Sequence, residues 1–350
     1  MLFKKIFLTA GGIAAVVASV TAAEARDQIR IVGSSTVYPF TTAVAENFGQ
    51  KTGMKTPIVE STGTGGGMKL FCAGIGADHP DITNASRRIK KGEFEDCNKN
   101  GVSEIIELNI GFDGLTIAHS KNGAPVELTL AQVFLALAKN VPGPDGKLIP
   151  NPHVQWSDID PSLPAIKIEV LGPPPTSGTR DSLHELFLEK GADQVDAMKA
   201  LKKNDPKAFE AAWKSIREDG AYIEAGENDN VIVQKLEANP NAFGIFGYSF
   251  LEENLGKLSG VSIDGVEPTF ENIAGNTYKG GRRLYVYFKK AQIGQVPGIS
   301  EFAQEYVSPA ALGEEGYLAA KGLVPLPPAE LEKVSAELQQ MKTLPGDDLK

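Results

Sequence analysis

Histidine and cysteine are scarce in this 350-residue chain, and positive charge is outnumbered. The four histidines, His79, His119, His153 and His184, are scattered without ligand spacing, which argues against a zinc site. Neither of the two cysteines, Cys72 and Cys97, follows the apolar stretch near the start, which excludes a lipid anchor there. The glycine run Gly65-Gly66-Gly67 is not closed by Gly-Lys-Ser/Thr; Met68-Lys69-Leu70 follows instead, so the stretch is no P-loop. Met68 also stands where the dinucleotide fingerprint needs its third glycine. A Gly-x-Ser-x-Gly elbow is missing, as is a His-Asp pair of readable spacing. Lys51-Thr52-Gly53 matches one β-lactamase motif, but its companions Ser-x-x-Lys and Ser-Asp-Asn are absent. Repeats, heptads and low-complexity tracts are absent too. The formal charge of −9 argues against nucleic acid or an anionic membrane surface as a partner. Any anion held here must be held by local donors.

What is present begins with a leader. Lys4 and Lys5 precede an uncharged, mostly apolar run from Ile6 to Val20, and Ala23-Glu24-Ala25 has the small–x–small form of a cleavage site. The run is short for a membrane span, so residues 1–25 are expected to be a cleaved signal peptide. Losing Lys4, Lys5 and Glu24 with it takes the charge from −9 to −10. An exported protein meets little ATP or NAD and folds in an oxidising compartment. There Cys72 and Cys97 are expected to form a disulfide. Closing that loop stabilises the fold by roughly 3–4 kcal/mol on the chain-entropy argument. With 42% hydrophobic and 23% charged residues the chain reads as globular, and its length suggests two domains.

Three segments repeat one scheme. Ile29–Val32 reads as a strand, Gly33-Ser34-Ser35-Thr36 as a loop, and Val37, Phe40, Val44 and Phe48 fall at helical spacing. Ile58-Val59 leads into STGTGGG (61–67), with Met68, Phe71 and Cys72 on one helix face. Ile166, Ile168 and Val170 alternate as a strand should, followed by Thr176-Ser177-Gly178-Thr179-Arg180 and by Leu183, Leu186 and Phe187. A single loop of this kind is ordinary capping and turn chemistry. Three of them beyond the carboxyl ends of strands in one α/β sheet meet at a crevice. Their helix N-termini then offer backbone N–H groups, hydroxyls and positive dipole ends to an anion. Ser86 and Arg87, in DITNASRRIK (81–90), add a hydroxyl and a guanidinium able to give two parallel hydrogen bonds, whereas Arg88 reads as a solvated pair member. Tyr222, Phe246, Tyr248 and Phe250 read as core and hinge packing, and Asn228 or Asp229 of GENDN (226–230) as helix caps or ligands.

Taken together, GSSTVYPF (33–40), STGTGGGMK (61–69), DITNASR (81–87), IGFDG (110–114), PPPTSGTRD (173–181) and GENDNVIVQKL with AFGIFGYSF (226–250) resemble the periplasmic phosphate-binding proteins of Pst-type ABC transporters. The resemblance implies an α/β, two-lobed periplasmic binding protein fold of type II, with the ligand cleft between lobes and a hinge crossed twice. It places lobe one at 26–111 with 245–350, and lobe two at 112–244. The implied phosphate ligands are Ser35 and Thr36, Thr64 and Gly65, Ser86 and Arg87, and Ser177, Gly178, Thr179 and Arg180. Many relatives carry Asp where Ser86 stands, and an Arg and an Asp where this chain has Pro173 and Pro175. The arginine role therefore shifts to Arg87 and Arg180. A carboxylate that accepts the phosphate proton is sought among Glu60, Asp113 and Asp229. The resemblance implies a monomeric, non-enzymatic receptor without cofactor or metal, which passes inorganic phosphate to an inner-membrane ABC permease. A receptor for another tetrahedral oxyanion, such as sulfate or a phosphonate, is the alternative, and a secreted phosphatase or hydrolase the more distant one.

Overall fold

A computed structural model describes residues 26–175, 177–226 and 229–349, with the side chains of Asp229 and Asn230 excepted. The expected leader, Thr176 and Asn228 lie outside the described residues. Strand β1 (Arg30–Gly33) is followed by helix α1 (Tyr38–Thr52), which has Pro39 in its first turn and ends on Gly53 in the left-handed region, φ 71°. Phe40, Val44 and Phe48 are buried along one stripe of α1, as their spacing predicts. Strand β2 (Ile58–Ser61) and helix α2 (Thr64–Phe71) form the second unit, with Met68, Phe71 and Cys72 buried. Next come β3 (Ile82–Ala85), α3 (Lys91–Lys99) and the 16-residue strand β4 (Ile105–Ser120).

The third unit is shorter than its alternation predicts. Only β5 (Val170–Gly172) is a strand; Ile166 and Ile168 lie beside the loop at 154–156 and contribute one isolated bridge, Gln155 to Lys167. A loop that turns away after two hydrogen bonds, Trp156 N to Ile166 O and Ile168 N to Val154 O, cannot extend a ladder. Helix α4 follows as three continuous stretches, Gly178–Ser182, Leu183–Leu188 in π geometry and Glu189–Ala192, with Leu183, Leu186 and Phe187 buried. The main sheet also contains β6 (Tyr222–Glu224), β7 (Phe243–Gly247), β8 (Leu258–Gly260) and β9 (Gly281–Lys289), and four short strands elsewhere among the described residues form two two-stranded sheets.

These nine strands run in the order β2-β1-β3-β9-β4-β7-β5-β6, with β8 also on β4. β1, β2 and β3 are parallel, and so are β5, β6 and β7; β9 runs antiparallel to both β3 and β4. β4 belongs to two sheets. Its residues 105–114 pair with β9, whereas 115–120 pair with β7 and β8. This is the two-lobed α/β architecture expected, with β4 as the crossing strand. The register slips between Leu284 and Tyr285 opposite Gly111, whose φ is 133° and whose added Cβ would sit 2.6 Å from Val324 O. Glycine is required at that kink. Tyr222, Phe246 and Tyr248 are buried and Phe250 packs against the core, as the sequence suggests.

Cys72 and Cys97 are disulfide-bonded, tying the end of α2 to α3 inside a small cluster with Met68, Phe71, Ile89 and Val102. Leu344 and Leu349 from the far end of the chain complete that cluster. Among the described residues no helix is long and apolar enough to cross a membrane.

Candidate functional site

The three Ser/Thr/Gly loops do meet. β1 ends in Gly33, whose φ of 130° and close approach to Asn84 of β3 leave no room for a side chain. Thr62 N donates to Gly33 O, and an added Cβ on Gly67 would lie 2.4 Å from the Gly33 Cα. So Gly67 is needed to seat α2 against β1, while Gly65 faces open space. By helix geometry the first amides of α2, at Thr64, Gly65 and Gly66, have no partner within the helix and stay available at its positive end. From the other lobe α4 begins at Ser177, whose Oγ accepts from Thr179 N at 3.2 Å. An added Cβ on Gly178 would come within 2.9 Å of Ser35 O. The start of α4 therefore lies directly on the first loop.

Between the lobes is a cleft of about 860 Å³ lined by Gly63, Thr64, Gly65, Ser86, Arg87, Lys90 and Arg282 on one side. Arg180, Asp181, His184, Glu185, Glu189, Lys190, Trp213 and Lys214 line the other. Six cationic side chains against three carboxylates give the cleft a positive surplus inside an acidic protein. Thr64 Oγ1 accepts from Ser86 N at 3.1 Å and lies 3.0 Å from Ser86 Oγ, joining the second loop to β3. Ser35 Oγ donates to Asp181 Oδ2, and Thr36 Oγ1 lies 3.5 Å from Ser182 Oγ, so the first loop is bonded across the cleft to α4.

The arginines distribute differently from expectation. Arg87 lines the cleft, but both Nη atoms donate to the Glu93 carboxylate, at 2.9 and 2.7 Å, and these bonds raise its basicity further. Arg180 donates through Nε to His184 Nε2 (3.0 Å) and through Nη1 to Pro173 O (2.8 Å), and its guanidinium lies 4.8 Å over the Tyr222 ring. Burial, then the charges of Arg180 and Lys214, pull His184 down to about 4, so it is a neutral acceptor at pH 7. Arg88 lies outside the cleft lining, one-third exposed to solvent and held by Glu107 and Asp348.

Several charged cleft residues, among them Lys90, Glu185, Glu189, Lys190 and Lys214, are absent from the expected ligand set, and two more, Arg282 and Asp181, bond directly to the first loop. Arg282, on β9, donates through Nε to Asp113 Oδ2 (3.1 Å), through Nη1 to Glu185, and through Nη2 to Thr36 Oγ1 and Ser182 Oγ, both at 2.9 Å. Asp181 is the other. The signal for Arg282 was the string GGRRLYVYF (280–288), two arginines leading an apolar strand, which alternation sends to opposite faces. Arg283 accordingly pairs with Glu330 and lies 4.8 Å from the Phe112 ring centre. Of the carboxylates considered from sequence, Glu60 pairs with Arg30 at 3.6 Å and is absent from the cleft lining. Asp113 is enclosed by Arg282 and Ser182. The Asp229 side chain lies outside the description.

Two lobes joined by a crossing strand, with loop and helix N-termini converging on a positive cleft, define a solute-binding architecture. The chain belongs to the PBP superfamily, whose domain profile matches residues 18–310. It is 32% identical to the protein SphX of Synechococcus elongatus, over 89% of this chain and 81% of that one. To the phosphate-binding protein PstS of Staphylococcus saprophyticus it is 29% identical, over 77% and 72%. A crystal structure of a possible phosphate binding protein from Planctomyces limnophilus superimposes with a TM-score of 0.71 at 28% identity, covering 90% of this chain and 99% of that one. An ABC-type phosphate transport receptor from Vibrio cholerae shares the fold, with a TM-score of 0.56 at 17% identity, covering 86% and 100%.

Proposed function

We propose that this chain is a monomeric periplasmic receptor that captures inorganic phosphate and presents it to an inner-membrane ABC permease, making and breaking no bond. The observation that carries the reading is that the Thr64 and Ser86 hydroxyls, the N-terminal end of α2 and a surplus of cations line one interlobe cleft of a protein with formal charge −9, with Ser35 and Thr36 bonded to α4 beside it. The name of the PstS relative, a phosphate-binding protein, supplies the choice of phosphate among tetrahedral anions. We take the first sheet, which holds residues 105–114 of β4, as the core of lobe one, and the second sheet, which holds 115–120, as the core of lobe two. Ser35, Thr36, Thr64, Gly65, Ser86, Ser177, Gly178 and Thr179 provide the neutral donors, and Arg87 and Arg180 the charge around them. Closure of α4 onto the first loop desolvates the anion and completes its shell from both lobes. Asp181 is the cleft carboxylate placed to accept the proton of hydrogen phosphate, taking over from the Asp that many relatives carry at the position of Ser86. Calorimetry against phosphate, arsenate, sulfate, molybdate and a phosphonate tests the reading. Phosphate binding with a clear margin over sulfate is expected, and no binding of any oxyanion sinks it. A chromogenic phosphate ester is expected to stay intact with the purified protein; turnover would favour a phosphatase instead.

A further inference from the structure

From the position of Arg282 we infer that this residue is an anion-contacting residue of the cleft, and that the Glu185 carboxylate is the exchangeable partner the anion replaces. The inference rests on the oxyanion reading above. Arg282 is the one arginine in the cleft lining that touches the first loop, α4 and the crossing strand at once. Its side chain is 11% exposed, so it cannot lose its counter-charge to water cheaply. Two carboxylates share it, and they differ in kind. Asp113 is its cross-strand neighbour in the β4–β9 register, so the backbone ladder fixes that pair, and its side chain is only 18% exposed. Glu185 reaches over from α4 with a side chain 46% exposed, and as a surface carboxylate it is released to solvent at small cost.

The rest of the guanidinium is aimed at the ligand loops. Nη2 donates to the Thr36 oxygen, which leaves the Thr36 proton for another acceptor, and to Ser182 in the first turn of α4. A tetrahedral dianion entering beside Thr36 takes the edge of Arg282 that Glu185 holds, while Asp113 keeps the fork oriented. Arg87 and Arg180 are less suited, since Glu93 holds both ends of one and Tyr222, Pro173 and His184 position the other.

Titration of the protein with inorganic phosphate, and separately with sulfate, decides the matter when run on Arg282→Gln, Arg282→Lys and Glu185→Gln. The expected result is a loss of at least 30-fold in phosphate affinity for Arg282→Gln, a smaller loss for Arg282→Lys, and a gain for Glu185→Gln, whose amide no longer competes. A plain lobe-to-lobe ion pair gives the opposite pattern, with both partners' variants weakened by a similar factor. That outcome, or no gain in Glu185→Gln, or Arg282→Gln within threefold of wild type, overturns the inference. Thermal melts of the ligand-free variants identify misfolding, and if Arg282→Gln does not fold, Arg282→Lys against Glu185→Gln carries the same comparison. Wild type that binds neither anion overturns the oxyanion reading as well, which separates the two failures.

Discussion

At the scale of single residues, each arginine of the cleft is held by partners that limit what it can do. Asp181 differs from Glu185 in that its partner is the neutral Ser35 hydroxyl and not a cation. Hydrogen phosphate can donate a proton to it, whereas sulfate brings only unprotonated oxygens and faces repulsion. Asp181→Asn is expected to lower the phosphate-to-sulfate affinity ratio by roughly 10-fold or more, about 1.4 kcal/mol per tenfold, with sulfate binding unchanged or tighter. Competition titration reads the ratio directly, and an unaltered ratio removes Asp181 from the acceptor role. His184 gives a pH effect of known sign. Its folded value of about 4 lies below the ordinary 6.5, so between those values the unfolded chain binds a proton that the folded chain refuses. Stability is therefore lost as pH falls from about 6.5 to about 4 and is regained on the way up. Denaturant midpoints across that window should fall more steeply for wild type than for His184→Gln, and parallel curves would contradict the assignment.

Helix α2 shows how an element depends on glycines for different reasons. Gly67 sits where a methyl group would meet the Gly33 Cα at 2.4 Å and Thr83 Oγ1 at 2.7 Å, whereas Gly65 meets nothing within 4 Å. Gly67→Ala must push α2 off the end of β1, an overpacking cost of about 1–3 kcal/mol. Gly65→Ala should instead stabilise by ~0.4–1 kcal/mol through loss of unfolded-chain freedom. Urea denaturation of the two variants checks the contrast, and equal destabilisation would show that the α2–β1 contact gives way more easily than its distances imply. The disulfide at the other end of α2 holds the same helix to α3, so its two ends are anchored by different means.

For the molecule as a whole, the quantity that matters is the contact between lobes. Ser35–Asp181, Thr36–Ser182 and Arg282–Glu185 all join the first lobe to one face of α4, at 181, 182 and 185. Small-angle scattering is expected to show compaction when phosphate is added to ligand-free protein. Gly178→Ala tests the same closure sterically, since its methyl group would come within 2.9 Å of Ser35 O only when α4 lies on the first loop. That variant should melt close to wild type, bind phosphate at least 10-fold more weakly (about 1.4 kcal/mol) and compact less. Full compaction and wild-type affinity in Gly178→Ala would mean that closure does not bring these loops together.

The sequence by itself determined whatever local chemistry governs. Helical spacing set α1 and the buried face of α2, the Ser/Thr/Gly loops marked where helices begin, and the two cysteines expected to pair are disulfide-bonded. Family motifs carried the two-lobed fold. The partners of long charged side chains were decided only by the tertiary structure. Arg87 and Arg180 sit in the cleft as their motifs suggest, yet Glu93 and the Tyr222–Pro173–His184 group hold them. Arg282 and Asp181 come to the same space from positions 101 residues apart. A guanidinium or carboxylate binds whatever the fold brings within 3 Å, and β4, by pairing with β9 along one half and with β7 along the other, sets those neighbours. Periodicity records which face a residue takes; it holds no information on which distant residue will stand opposite.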